Sequence, residues 1–219
     1  MHPACKWCSA CVSKVLAVIN RSANARFNHG FTLIELIVTI AIASILMLVA
    51  VPNFIAYQRN SQLTSTVNTF VASLNAARGE AMKRGVNSFV VPTNNGGDWT
   101  TGWLAFADVD RNRVFTSEAA DALISSQAAV PDGIAVTGNG SASGTAPYLM
   151  FDASGYSKLK NGSFGALALR FQRTDVTGTV QLAQTRILVV ASTGRVRVCT
   201  PVSATDTNCR LNIDTVTGQ

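Results

Sequence analysis

One long apolar run near the start of the chain constrains its fold most strongly. Residues 31–51 carry a single charge, on Glu35. A helix rises about 1.5 Å per residue, so this run would be roughly 30 Å long, which matches the hydrocarbon core of a bilayer. The run therefore predicts a transmembrane helix over residues 31–52.

The charges in front of this run predict its orientation. The first thirty residues contain four basic residues and no acidic one. Basic residues favour the cytoplasmic side of a membrane, so we expect a single-pass protein with a cytoplasmic N-terminus and an exported C-terminal part. A secretory signal peptide fits poorly, because its small-residue cleavage site follows the apolar core rather than preceding it.

The junction before the apolar run carries a specific motif. The string Gly30-Phe31-Thr32-Leu33-Ile34-Glu35 follows a basic leader and opens the long apolar helix. It resembles the class III signal of type IV pilins and of the pseudopilins of type II secretion. The resemblance implies that an inner-membrane prepilin peptidase cuts between Gly30 and Phe31, removes the leader peptide 1–30 and methylates the new amine of Phe31.

Glu35 is the one charge in the predicted membrane helix, and it needs a partner. An unpaired carboxylate at the bilayer centre costs about 2.5–3.5 kcal/mol. In the family that the motif resembles, this glutamate pairs with the N-terminal amine of a neighbouring subunit, here that of Phe31, and so sets the subunit register in the filament. The alternative is that Glu35 lies near the headgroups and stabilises the helix N-terminus through the helix dipole.

Beyond the transmembrane run, the pattern becomes that of an amphipathic helix. Pro52 lacks an amide donor and is expected to kink the helix. Farther along, apolar residues recur at steps of three and four, and Lys83 and Arg84 followed by Gly85 are typical of a helix C-terminus. The sequence predicts an amphipathic continuation over residues 53–85. Its predicted apolar face consists of Leu63, Val67, Phe70, Val71, Leu74, Ala77, Ala81 and Met82.

Residues 86–219 have the pattern of a β-rich globular domain, and the predicted orientation of the membrane helix places this domain in the periplasm. Short runs of β-branched and aromatic residues alternate with turn residues, and helical patterns are rare. The fold class is therefore α+β: a long N-terminal α-helix, half transmembrane and half amphipathic, packed on a C-terminal antiparallel β-sheet domain. The predicted strands are 88–91, 99–106, 113–115, 123–125, 134–137, 148–151, 166–172, 186–190 and 196–199.

Two cysteines remain once the leader is removed, Cys199 and Cys209. Disulfides are common in exported domains, so the pair predicts a disulfide that closes a small loop. The alternative is a pair of free buried thiols.

Three later stretches resemble the GspH/FimT branch of minor pilins: residues 102–110, 151–155 and 192–197. The resemblance implies a minor pilin or pseudopilin that assembles into or primes a type IV pilus or a type II secretion pseudopilus. The implied partners are prepilin peptidase, other minor and major pilins or pseudopilins, the inner-membrane assembly platform and membrane lipid. The implied location is the inner membrane and then the pilus or pseudopilus.

The sequence offers little for catalysis or for metal binding. Both histidines, His2 and His29, lie in the leader, which leaves the mature chain without the usual general base or imidazole ligand. Asp108, Asp110 and Asn112 have the first, third and fifth spacing of a calcium loop, but the sixth position is not glycine and the twelfth is not acidic. We interpret this stretch as a polar turn, and we predict a protein that is not an enzyme and has no cofactor and no metal.

Basic residues of the mature chain concentrate near its C-terminus. The net charge of +6 falls to +2 without the leader, because fourteen basic and twelve acidic residues remain. Gly194-Arg195-Val196-Arg197 resembles a motif implicated in DNA contact in some FimT-like minor pilins. With Arg210, it suggests an alternative function, a DNA-binding minor pilin for DNA uptake. Otherwise these arginines form a solvated strand face or pair with Asp206 or Asp214. Residues that would extend the basic surface are Lys158, Lys160, Arg170, Arg173 and Arg186.

Overall fold

The computed structural model describes residues 31–94, 97–117 and 119–211. The chain divides into two compact units, Met1–Val51 and Pro52–Gln219. The α+β fold class is confirmed, since a long helix precedes two antiparallel sheets. The leader, its cleavage residue Gly30 and the C-terminal Asp214 lie outside the described residues.

Helix α1 spans Leu33–Arg84 and includes Pro52. Glu35 lies in its first turn, and Lys83 and Arg84 lie in its last, so that each charge complements the helix dipole. Among the described residues, no single helix is long and apolar enough to cross a membrane. Leu33–Leu48 and Ala50–Arg84 meet the length and composition requirement only when they are taken together as a broken span.

Two four-stranded antiparallel sheets follow the helix in the described part of the chain. The elements are β1 (Ser88–Pro92), β2 (Trp103–Ala107), β3 (Ala122–Gln127), β4 (Ile134–Gly138), β5 (Leu149–Phe151), β6 (Leu167–Arg173), α2 (Gly178–Ala183), β7 (Thr185–Val190) and β8 (Val196–Cys199). The first sheet has the order β3-β2-β1-β5, and the second has the order β4-β6-β7-β8. The short helix α2 precedes β7.

The strand prediction over 99–106 was wrong at its start. Trp99–Thr101 forms a 3-10 helix, because the Asp98 side chain accepts a hydrogen bond from the Thr100 amide at 2.8 Å and caps it. Helix α2 was not predicted at all. It buries none of its residues and therefore shows no apolar periodicity in the sequence.

The predicted strand 113–115 was also wrong. Its backbone amides are used within the turn between β2 and β3 instead of in a ladder. The Arg113 amide donates to the Asp108 carboxylate at 3.2 Å, and the Val114 amide donates to the Asn112 side chain at 2.7 Å. Side-chain acceptors close to a backbone segment compete in this way with sheet hydrogen bonds.

The second half of α1 packs on both sheets through one aromatic cluster. The ring of Phe70 lies 4.8 Å from that of Trp103 in the first sheet and 5.4 Å from that of Phe171 in the second, in edge-to-face geometry. Six of the eight predicted face residues are buried, and Val71 is half-buried. Met82 was assigned wrongly, since it is 49% exposed near the end of the helix.

A buried arginine fixes the end of β6 to α1. Arg173 is only 3% exposed, and its guanidinium donates to both carboxylate oxygens of Asp175, at 2.9 and 2.6 Å. It also donates to the Ala56 carbonyl at 3.2 Å, and Arg59 pairs with the same carboxylate. The hydrogen bonds from Arg173 and Arg59 hold the pKa of Asp175 well below its ordinary value.

We expect Asp175→Asn to lower the free energy of unfolding at pH 7 by on the order of 3 kcal/mol, because it leaves a buried guanidinium without its anion. The unfolded carboxyl titrates near pH 4 and the folded one well below, so the unfolded chain binds more protons as the pH falls through this window. The wild type therefore loses this contribution progressively as the pH falls below about 4, and the difference between the two proteins narrows.

Urea unfolding of the full chain in detergent, followed by tryptophan fluorescence at pH 7 and at pH 3, measures both effects. Asp132→Asn is the matched control, since Asp132 is an exposed acid. Equal stabilities of Asp175→Asn and the control at pH 7 would contradict the prediction.

Candidate assembly and interaction sites

The N-terminus of α1 is closed by a side-chain cap. Phe31 and Thr32 precede the helix, and the Thr32 hydroxyl accepts a hydrogen bond from the Glu35 amide at 3.3 Å. Thr32 and Glu35 thus occupy the N-cap and N3 positions of a capping box. The sequence analysis did not identify this cap, although the spacing Thr-x-x-Glu carries the signal. The Glu35 side chain is exposed, so its carboxylate is accessible to a partner.

The first unit presents an apolar surface with no protein cover in the described residues. Phe31 is 78% exposed, and the polar side chains within the run are satisfied by their own helix. Thr39 donates to the Leu36 carbonyl at 2.9 Å, and Ser44 donates to the Ile40 carbonyl at 2.7 Å. The surface is formed by Leu33, Ile34, Leu36, Ile37, Val38, Ile40, Ile42, Ile45, Leu46, Met47, Leu48 and Val51. Such a helix must be covered by lipid or by other helices.

In the second unit, Arg78 joins two of the stretches that resemble the GspH/FimT branch. Its guanidinium donates to the Gly155 carbonyl at 2.8 Å and to the Thr193 carbonyl at 3.2 Å. The amide of Ser157 also donates to the carbonyl of Ser192 at 3.0 Å. Residues far apart in the sequence therefore meet against one helix side chain, which the sequence analysis missed because no local pattern links them.

Glycine is required at this junction for reasons of space. Gly194 has φ of 79°, and a Cβ there would lie 1.9 Å from the Gly155 carbonyl oxygen. Gly155 has φ of 78°, and its Cβ would lie 2.7 Å from the Met82 sulfur. Both turns adopt the left-handed conformation that side chains disfavour, and both approach another segment closely.

The predicted basic residues differ in their exposure. Arg195 lies one residue before β8, and Arg197 lies within it. Both are exposed, and Arg197 donates to the Asn208 carbonyl at 3.0 Å. Arg210 is half-buried, and Arg173 is excluded from the surface by its buried pairing with Asp175.

The C-terminal loop is closed covalently. Cys199 at the end of β8 and Cys209 form a disulfide with a Cα–Cα distance of 5.9 Å. Within the loop, the Asp206 carboxylate accepts hydrogen bonds from the amides of Val202, Asn208 and Cys209, and these bonds lower its pKa. The alternative pairing of Asp206 with the arginines is absent from the described ion pairs.

We expect Gly194→Ala to lower the free energy of unfolding by at least about 3 kcal/mol, because the added methyl group overlaps a carbonyl oxygen and the backbone is left-handed. The matched control is Gly162→Ala, where φ is 89° but nothing lies within 4 Å of the added atom. The control isolates the conformational cost, about 1–2 kcal/mol. Urea unfolding of the full chain in detergent compares the free energies of unfolding of the two variants. Equal losses of free energy would show that the close approach of Gly194 to Gly155 is unimportant.

Two protein-family models match the chain. The family model of the type II transport protein GspH matches residues 66–214, and that of the prokaryotic N-terminal methylation motif matches residues 25–51. No curated protein sequence matches the chain significantly.

Two solved structures are similar to this chain at low sequence identity. The type IV minor pilin FimU of Pseudomonas aeruginosa strain PAO1 is 17% identical, with a TM-score of 0.48 over 65% of this chain and 92% of that one. The minor pseudopilin EpsH from the type 2 secretion system of Vibrio cholerae is 13% identical, with a TM-score of 0.45 over 65% and 99%. Since the GspH model alone matches more than half of the sequence, the chain belongs to the family of the type II transport protein GspH.

Proposed function

We propose that this minor pilin or pseudopilin is cut by prepilin peptidase between Gly30 and Phe31, methylated on Phe31, and assembled into a type IV pilus or type II secretion pseudopilus, or primes its assembly. The observation that carries the proposal is the first unit of the chain, an uncovered apolar helix with one exposed carboxylate at its capped start. A helix of this kind is suited to lie in lipid before assembly and among other helices afterwards.

The location follows from the same segment. Residues 31–52 anchor the chain in the inner membrane, residues 1–30 lie in the cytoplasm, and the β-rich domain lies in the periplasm. The N-terminal methylation motif supports this arrangement, because it joins a basic leader to an apolar run. Pro52 would supply a kink between the anchor and the amphipathic part of the helix.

Glu35 acts in subunit register. After cleavage, the amine of Phe31 is a cation only four residues from this carboxylate, and an apolar filament interior makes an unpaired charge of either sign costly. Pairing Glu35 of one subunit with the Phe31 amine of its neighbour removes both penalties and fixes the axial position of the helix. The partners are therefore prepilin peptidase, other pilins or pseudopilins and the inner-membrane assembly platform.

The test is complementation of a deletion strain with the wild type, Gly30→Glu and Glu35→Ala. We expect Gly30→Glu to remain uncut, and we expect Glu35→Ala to be cut but excluded from filaments, because it retains the cleavage site and lacks the pairing charge. Mass spectrometry of the N-terminus measures processing. Electron microscopy of surface pili and an assay of secretion across the outer membrane measure assembly.

Glu80→Gln is the control, because it removes a half-buried glutamate of the same helix whose ion pairs, among the described residues, are with Lys83 and Arg84. It should restore assembly fully. Loss of pili in the deletion strain would identify the pilus as the machine, and loss of secretion would identify the pseudopilus. Normal assembly of Glu35→Ala would refute the register role.

A second candidate function is DNA binding for uptake. Its supporting observation is the exposure of Arg195, just before β8, and of Arg197 within it, with Arg210 next to the disulfide cysteine Cys209. Guanidinium groups in such a position can neutralise phosphates irrespective of sequence.

If this surface binds DNA, Arg195→Ala/Arg197→Ala should weaken binding uniformly across sequences and reduce the salt slope of log K by about 2, one for each lost phosphate contact. Fluorescence anisotropy of a labelled duplex across a salt series measures this for the full chain in detergent. The charge-matched control is Arg111→Ala/Lys83→Ala, at two other exposed sites. Binding that is independent of salt, or equal in both double variants, would exclude the function.

A further inference from the structure

Three carboxylates converge in the turn that joins β2 to β3. One oxygen from each of Asp108, Asp110 and Asp121 lies within 4.8 Å of the others. Asp108 is 1% exposed and Asp121 is 2% exposed, whereas Asp110 faces solvent. Two of the three acids are thus buried next to each other, and the third lies beside them at the surface.

This cluster lacks a compensating charge within the described residues. No lysine or arginine there forms an ion pair with any of the three acids. Moreover, the Oδ2 atom of Asp108 is buried without a hydrogen-bond partner. A buried carboxylate oxygen with neither a donor nor a cation is costly, so its orphaned state indicates a missing positive ligand.

The remaining hydrogen bonds hold the carboxylates in place. Asp121 accepts from the amides of Val109 and Thr116, at 3.2 and 3.1 Å, while the second oxygen of Asp108 accepts from the amide of Arg113. Because a carboxylate oxygen has two acceptor positions, these bonds orient the group and still leave capacity for a cation.

Arg113 resolves the objection that the sixth position of the loop is not glycine. Its φ is 67°, so it adopts the left-handed conformation that glycine ordinarily provides there. The guanidinium of Arg113 binds elsewhere, since its Nη1 atom donates to the Lys160 carbonyl at 2.8 Å. The acid expected at the twelfth position is replaced by Asp121, which the fold brings to the first and third positions from farther along the chain.

We propose that Asp108, Asp110 and Asp121 form a calcium site. The donor set is oxygen only, which suits Ca²⁺ or Mg²⁺ rather than a metal that prefers nitrogen or sulfur. Calcium fits better, because it accepts irregular coordination, whereas magnesium demands a near-ideal octahedron. The proposal departs from our expectation of no metal and does not depend on which filament the chain enters.

The test is isothermal titration calorimetry of the full chain in detergent, stripped with EGTA, against CaCl₂ and against MgCl₂. We expect one saturable calcium site with a Kd of roughly 10⁻⁴–10⁻³ M, the range of extracellular modules, and clearly weaker magnesium binding. Calcium at about 100 times Kd should raise the Tm by roughly 5 °C or more.

Asp110→Asn is the decisive variant, because Asp110 is exposed and its loss should leave the fold intact, which its Tm in EGTA verifies. Calcium affinity should fall at least about tenfold. Asp132→Asn, an exposed acid outside the cluster, should retain wild-type affinity. Absence of saturable calcium binding in the wild type, or equal affinity in the two variants, would overturn the proposal.

Discussion

The packing of the Phe70 ring against both sheets is the contact on which the second unit depends. Each sheet has four strands and two open edges, and neither covers its own apolar face. Phe70 reaches Trp103 on one sheet and Phe171 on the other, so one helix face completes both halves of the core. The helix and both sheets therefore share one hydrophobic core.

The repeating patterns were predictable from the sequence, because they report on one element at a time. Apolar steps of three and four found the buried face of α1 from Leu63 to Ala81, and alternating β-branched residues located most strands. The cap formed by Thr32 and the turn residues around Asp98 are equally local, and they went unnoticed only because the apolar signal around them is stronger.

Contacts that depend on the folded arrangement were not predictable. Arg78 gives no sign in the sequence that it will bind carbonyls of Gly155 and Thr193, and Arg173 looks like one more surface base until Asp175 and Ala56 enclose it. The acidic turn shows the same limit, since spacing identified Asp108 and Asp110 while Asp121 joins them only through the pairing of β3 with β2.

The disulfide limits how far the edge strand β8 can move away from its own sheet. β8 is an edge strand of the second sheet, and edge strands can leave their own sheet or pair with that of a neighbour. Cys209 ties the end of β8 to the loop that follows, while Arg197 reaches across to the Asn208 carbonyl. A second chain that approaches this edge thus meets a strand that is fastened to its own chain, which disfavours the exchange of segments between chains.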